Sequence, residues 1–214
     1  MRSNLPLNRP VLAGILFLFL ALPVHAVVNG EATLLYWFSE DEVGSVSANS
    51  DNAALRGELW FNDRWGFTGG LYQTDPSGSL TGVDYFNIDG KFRVISATDN
   101  NWLAIGLGYQ DIDAGFANTT GFRLTLDGHL SLMSILQGYA RVAWMPDLDN
   151  LTLGITNLSG GSATEFDVGL MLHPVPLLGI WGGWRTFDTD FDQSGGSSFD
   201  LQSSGPYLGV GLDF

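Results

Sequence analysis

Along most of this chain apolar and polar side chains alternate one by one. In GFRLTLDGHLSL, 121–132, Phe122, Leu124, Leu126, Leu130 and Leu132 fall on one side, and Arg123, Thr125, Asp127, His129 and Ser131 on the other. An extended backbone sends neighbouring side chains to opposite faces, so this stretch reads as a strand with one oily and one polar surface. Residues 85–94 repeat the pattern, with Phe86, Ile88, Phe92 and Val94 opposed to Tyr85, Asn87, Asp89, Lys91 and Arg93. The last ten residues, GPYLGVGLDF, set Leu208, Val210, Leu212 and Phe214 on a single face. Helical spacing is nearly absent.

The alternation predicts ten strands, near 31–39, 53–61, 65–73, 83–94, 102–110, 121–132, 135–145, 163–172, 178–187 and 205–214, the fifth and ninth being the least regular. Short connections at 62–64, 95–101, 133–134 and 173–177 alternate with longer ones at 40–52, 74–82, 111–120, 146–162 and 188–204, which are rich in Gly, Ser, Asn and Asp. Transmembrane barrels have this asymmetry, with short turns on the periplasmic side and longer loops outside. The expected fold is therefore all-β, an antiparallel up-and-down barrel of about ten strands with both termini in the periplasm. A miscounted fifth or ninth strand would make the number eight or twelve.

A soluble lipocalin-type barrel would show the same alternation inside out, and three features decide against it. The polar face carries Arg56, Glu58, Asp89, Lys91, Arg93, Arg123, Asp127, Arg141, Asp167 and Arg185, too many charges to line an apolar ligand cavity without heavy desolvation cost. Aromatics gather at strand ends, with Phe38, Phe86, Phe122, Trp144, Phe166 and Trp184 at the loop side and Phe61, Trp65, Phe92 and Phe214 at the turn side. These are the two interfacial girdles of a membrane barrel. Finally, Leu208, Val210, Leu212 and Phe214 have the form of the terminal strand that barrel assembly machinery recognises, and the last strand must pair with the first because lipid tolerates no open edge.

Residues 1–26 read as a cleavable signal peptide: Arg2 and Arg9 in front, an apolar run from Val11 to Leu22, then Val24-His25-Ala26. The run is shorter than the roughly 20 residues of a membrane-spanning helix. Residues 27–214 form the barrel domain. The chain has no cysteine, which excludes a lipid-anchored N-terminus and a thiolate metal site. Setting the signal aside removes two of nine basic residues and leaves 23 acids; so acidic a chain is not a nucleic-acid binder.

The last third of the chain resembles the YfaZ-type outer-membrane proteins, in WMPDLDN (144–150), EFDVGLMLHPVPLLGIWGGWRTF (165–187) and SGPYLGVGLDF (204–214), with LRGELWF (55–61) a fainter match. The resemblance implies a small bacterial barrel without an established activity. It carries over no catalytic residue.

Three readings of the function remain open. A ten-stranded lumen is narrow, and interlocked opposite charges would make it a plug. Against this, Ala104, Gly106, Gly108, Gly169, Gly209 and Gly211 are small inward residues that would leave room along one wall for a narrow cation-preferring channel. The longer loops hold Glu40, Asp41, Glu42, Asp51, Asp75, Asp111, Asp113, Asp147, Asp149, Asp188, Asp190, Asp192 and Asp200 and no Lys or Arg. Such a surface repels anions and concentrates divalent cations, which also bridge lipopolysaccharide. DTDFD (188–192) would put three carboxylates on one extended face, but it lacks the glycine and terminal glutamate of a calcium loop. The third reading is a lipid A hydrolase, for which His129-Leu130-Ser131 resembles a His-x-Ser pair; the following Asn is Leu132, and no Glu occurs between Ser131 and Asp149. Outer-membrane proteases need His and Asp at the outer rim, whereas His129 and His173 both map to the periplasmic half. No nucleophile, base and orienting acid converge. The expectation is a non-enzymatic envelope protein without cofactor or bound metal, its partners being outer-membrane lipid, lipopolysaccharide and the assembly machinery.

Overall fold

The computed structural model describes residues 29–214 except 45, 75, 77–81, 99, 114–117, 150, 154–155 and 194–197; the expected signal segment lies outside the described residues. Its strands are β1 (Asn29–Val43), β2 (Val46–Trp60), β3 (Trp65–Gln73), β4 (Asp84–Thr98), β5 (Asn101–Asp113), β6 (Asn118–Met133), β7 (Leu136–Met145), β8 (Leu151–Leu153), β9 (Thr156–Val175), β10 (Leu178–Gln193) and β11 (Ser198–Asp213). All but β8 form a closed antiparallel barrel of ten strands. Each strand pairs with the next around the ring, β9 follows β7, and β11 returns to β1. That last seam runs in unbroken register from Glu31 opposite Asp213 to Trp37 opposite Tyr207, and Gly30 and Phe214 exchange backbone hydrogen bonds at its end (2.6 and 2.9 Å).

Closure leaves every barrel strand with two partners, so the ring has no open edge strand. Inside and outside then follow from parity. Leu124, Leu126, Leu208, Val210, Leu212 and Phe214 project outward and exposed, whereas Arg123, Thr125, Asp127 and Tyr207 are buried inside. An apolar exterior around a charged interior is the arrangement a bilayer requires and water would reject. The girdle aromatics Phe38, Phe86, Phe122, Trp144, Phe166, Trp184, Phe61, Trp65 and Phe214 are all exposed.

The long connections differ from expectation. Much of 40–52, 111–120 and 188–204 is strand, and β1 and β2 are joined by two residues alone. Gly44 supports that turn with φ of +60°, where a side chain would be strained. The alternation continues through these segments with its sense reversed. On β10 Phe187, Thr189 and Phe191 are buried inward while Asp190 faces outward in water. Beyond the girdle the outer face is wet, so the ordinary rule of an oily inside returns. The 146–162 connection likewise contains β8, which pairs with the start of β9.

Candidate functional site

The lumen gathers nearly all the basic charge of the described residues. Arg56, Lys91, Arg93, Arg123, Arg141 and Arg185 meet Glu31, Glu58, Asp89, Asp127, Glu165 and Asp167, six of each sign, and all but Glu31 are at most 7% exposed. The one further basic residue of 29–214, Arg64, sits exposed in the turn between β2 and β3. Each lumen charge comes from a strand interior and is set by parity. Which charges meet is set by the curvature of the ring.

Arg123 donates to Glu165 (2.6 Å), Asp89 (3.2 Å) and Gln110 (2.5 Å), tying β6 to β9, β4 and β5. Lys91 bridges Glu58 of β2 (2.6 Å) and Asp127 of β6, and Arg141 of β7 reaches Asp127 (2.8 Å) and Glu58 (3.6 Å). Arg56 spans from β2 to Asp167 of β9 (3.3 Å) and also holds Glu31 (3.2 Å). Arg185 lies 3.4 Å from Glu165. Most of these pairs join strands one or two apart around the ring, whereas Arg56 with Asp167 and Arg141 with Glu58 join strands four and five apart and so cross the lumen.

Aromatic rings fill the space between charges. Tyr85 of β4 packs on Phe187 of β10 (centroids 4.6 Å apart), and the Arg185 guanidinium covers Tyr72 (3.4 Å) and Trp37 (5.2 Å). The hydroxyls of Tyr139 and Tyr207 meet across the lumen, and Tyr207 donates to Asp167 (2.5 Å). Toward the turn end Trp60 packs edge-on to Trp102 (5.2 Å), Arg93 lies over Trp60 (3.8 Å), and His129 stacks on Trp102 (4.3 Å).

The small inward residues leave no gap. A Cβ at Gly106 would strike the Thr125 hydroxyl, at Gly108 the Asp89 carboxylate, at Gly169 the Tyr139 hydroxyl (2.6 Å), at Gly209 the Leu35 side chain and at Gly211 Thr33. Ala104 is fully buried. These positions are small because neighbouring side chains occupy the volume, which corrects the expectation of a spare wall. Sequence reasoning also missed Glu31, Glu165, Trp37, Trp60, Trp102 and Trp181 as lumen residues. Parity could have found them, since each shares the face of a neighbouring inward residue two positions away.

At the turn end the packing gives way to a cavity of about 460 Å³, lined among others by Glu31, Glu58, Trp60, Arg93, Trp102, His129, His173 and Asp213. His129 and Ser131 of the His-x-Ser pair are engaged separately: His129 lies against Trp102, and the Ser131 hydroxyl donates to the Met133 carbonyl (3.3 Å). His173 is paired with Asp213 (2.7 Å).

At the opposite end the hairpins carry Glu40, Glu42, Asp51, Asp113, Asp147, Asp149, Asp190 and Asp200 exposed, and Asp111 half-buried. Asp75 and the side chain of Asp192 lie outside the described residues. Asp41 departs from expectation: it points inward and accepts from Ser39 (2.8 Å), which accepts from Asn52 (2.7 Å). Asp84 stands directly opposite Asp113 on adjacent strands; burial first, then the Asp113 charge, raises its carboxyl above the usual range. Among the described residues no three His, Asp or Glu side chains form a metal-binding group.

No family model and no curated protein matches this chain. Among solved structures it is similar to the outer membrane protease OmpT from Escherichia coli (TM-score 0.54, 11% identity, 89% of this chain and 97% of that one). It is also similar to the translocator domain of the autotransporter NalP from Neisseria meningitidis (0.45, 12%, 96% and 95%) and to Neisserial surface protein A (0.40, 13%, 87% and 96%). At 11% identity the likeness to OmpT is one of fold alone, that of an outer-membrane barrel.

Proposed function

We propose that this barrel is a non-enzymatic, non-conducting envelope protein of the YfaZ type in the outer membrane of a Gram-negative bacterium. Its short turns and both termini face the periplasm, and its acidic hairpins face outward among lipopolysaccharide and divalent cations. The observation that carries this reading is the network of buried ion pairs that ties β2 to β4, β7 and β9 and β6 to β9 inside the barrel. A permeating ion would have to break several charge-assisted contacts at once, in a space already filled by tyrosine and tryptophan. The test is conductance of the purified barrel in planar bilayers. Silence at 100–200 mV is the expected result, and discrete cation-preferring steps would establish the narrow channel instead.

The hydrolase alternative has less support, because a general base must reach the proton it removes and His129 is stacked on an indole. Membranes bearing the barrel are expected to release no acyl chain from lipid A, and His129→Ala to change nothing. Acyl release that His129→Ala abolishes would reverse the assignment.

A further inference from the structure

At the turn end the lumen opens into a cup. A cavity of about 460 Å³ falls within the range of small-molecule sites, roughly 300–1,000 Å³. Its floor offers little to a ligand. Glu58 is engaged by Lys91 (2.6 Å), Arg141 (3.6 Å) and the Trp60 indole N–H (2.5 Å). Arg93 and His129 cover Trp60 and Trp102.

The wall at the seam is different. Glu31 of β1 and Asp213 of β11 are direct register partners on the inward face, and both line the cavity. Like charges directly opposite on paired strands destabilise one another, yet this pair is placed where the barrel must close. The resident counter-charges are modest. Arg56 divides itself between Glu31 and Asp167, and His173 alone holds Asp213 (2.7 Å) among the described residues. Met171 and Leu177 add apolar surface nearby.

We propose that this cup is a binding site for a small aliphatic amine, whose ammonium seats between Glu31 and Asp213 while its stem lies against Met171 and Leu177. Two carboxylates with apolar neighbours suit an ammonium; a divalent metal would ask for more oxygen ligands. The amine adds a second positive group to the seam and competes with His173 for Asp213. The inference goes beyond the non-conducting reading and stands apart from it, since a barrel that leaked ions would still bind and a barrel that failed to bind could still be silent.

Cadaverine is a suitable probe, because its second ammonium stays in water at the open mouth and keeps it out of detergent. Calorimetric titration into the full-length barrel in micelles, at pH 7.5 and low salt, is expected to show saturable one-to-one binding. Glu31→Gln and Asp213→Asn should each weaken it at least tenfold, and Asp51→Asn, on the hairpin surface, should leave it unchanged. His173→Ala should bind several-fold more tightly, an outcome that misfolding cannot imitate. Absence of saturable heat, equal binding in the Glu31 and Asp213 variants, or weaker binding in His173→Ala would each overturn the proposal.

Discussion

Arg123→Ala is expected to destabilise the barrel by about 3–5 kcal/mol, the cost of leaving a buried partner charge uncompensated. Arg123 is 1% exposed and its guanidinium is shared by Glu165, Asp89 and Gln110. Its loss leaves Asp89 without its charged partner, and leaves Glu165 with Arg185 alone at 3.4 Å. Arg123→Lys should recover only part of the loss, since one ammonium cannot reproduce the planar fork that reaches three acceptors. Urea unfolding of the barrel in lipid vesicles, followed by tryptophan fluorescence, measures the difference. Arg64→Ala is the control: in an exposed turn it should cost less than about 0.5 kcal/mol. A loss at Arg123 no larger than at Arg64 would mean that the lumen is wet and its charges are solvated.

Leu126→Arg is the second large effect, and it probes the other face of the same strand. Leu126 projects outward from the middle of β6, between Arg123 and Asp127 in sequence and on the opposite side of the sheet from both. At the midplane of a bilayer an arginine on the lipid face of a barrel costs about 2–4 kcal/mol. In a water-soluble barrel the same change would cost almost nothing or improve solubility. Vesicle-based unfolding should therefore show a loss of that size. A gain in stability, or a chain that stays dissolved without detergent, would invert the inside-to-outside ordering on which the membrane reading depends.

The two variants also separate what alternation can tell from what it cannot. The face on which Arg123 and Leu126 lie follows from the pleat: successive side chains point to opposite sides whatever the neighbours are. The same local rule was sufficient to place ten barrel strands, to set Leu208, Val210, Leu212 and Phe214 outward, and to put ten charged side chains inside. It was misapplied at the hairpin ends. Gly, Ser and Asp in 188–204 suggest loop by composition, but β10 runs to Gln193 and β11 begins at Ser198, because Phe187 and Phe191 join the buried apolar cluster inside the barrel. The polarity of the outer face there reports water in place of lipid, and strand can persist across that change.

By itself, then, the sequence determined the fold class, the pairing of first strand with last, and the side of the wall on which each charge lies, since all of these are properties of an extended backbone read two residues at a time. Only the tertiary structure decided which charges meet. Arg56 and Asp167 are 111 positions apart in the chain, and whether they touch depends on strand number, tilt and stagger, which together set the width of the cylinder. The same closure turned small inward residues from apparent openings into room for their neighbours, and left a cup at the turn end. No local pattern encodes that cup, because its walls are side chains arriving from strands on opposite sides of the ring.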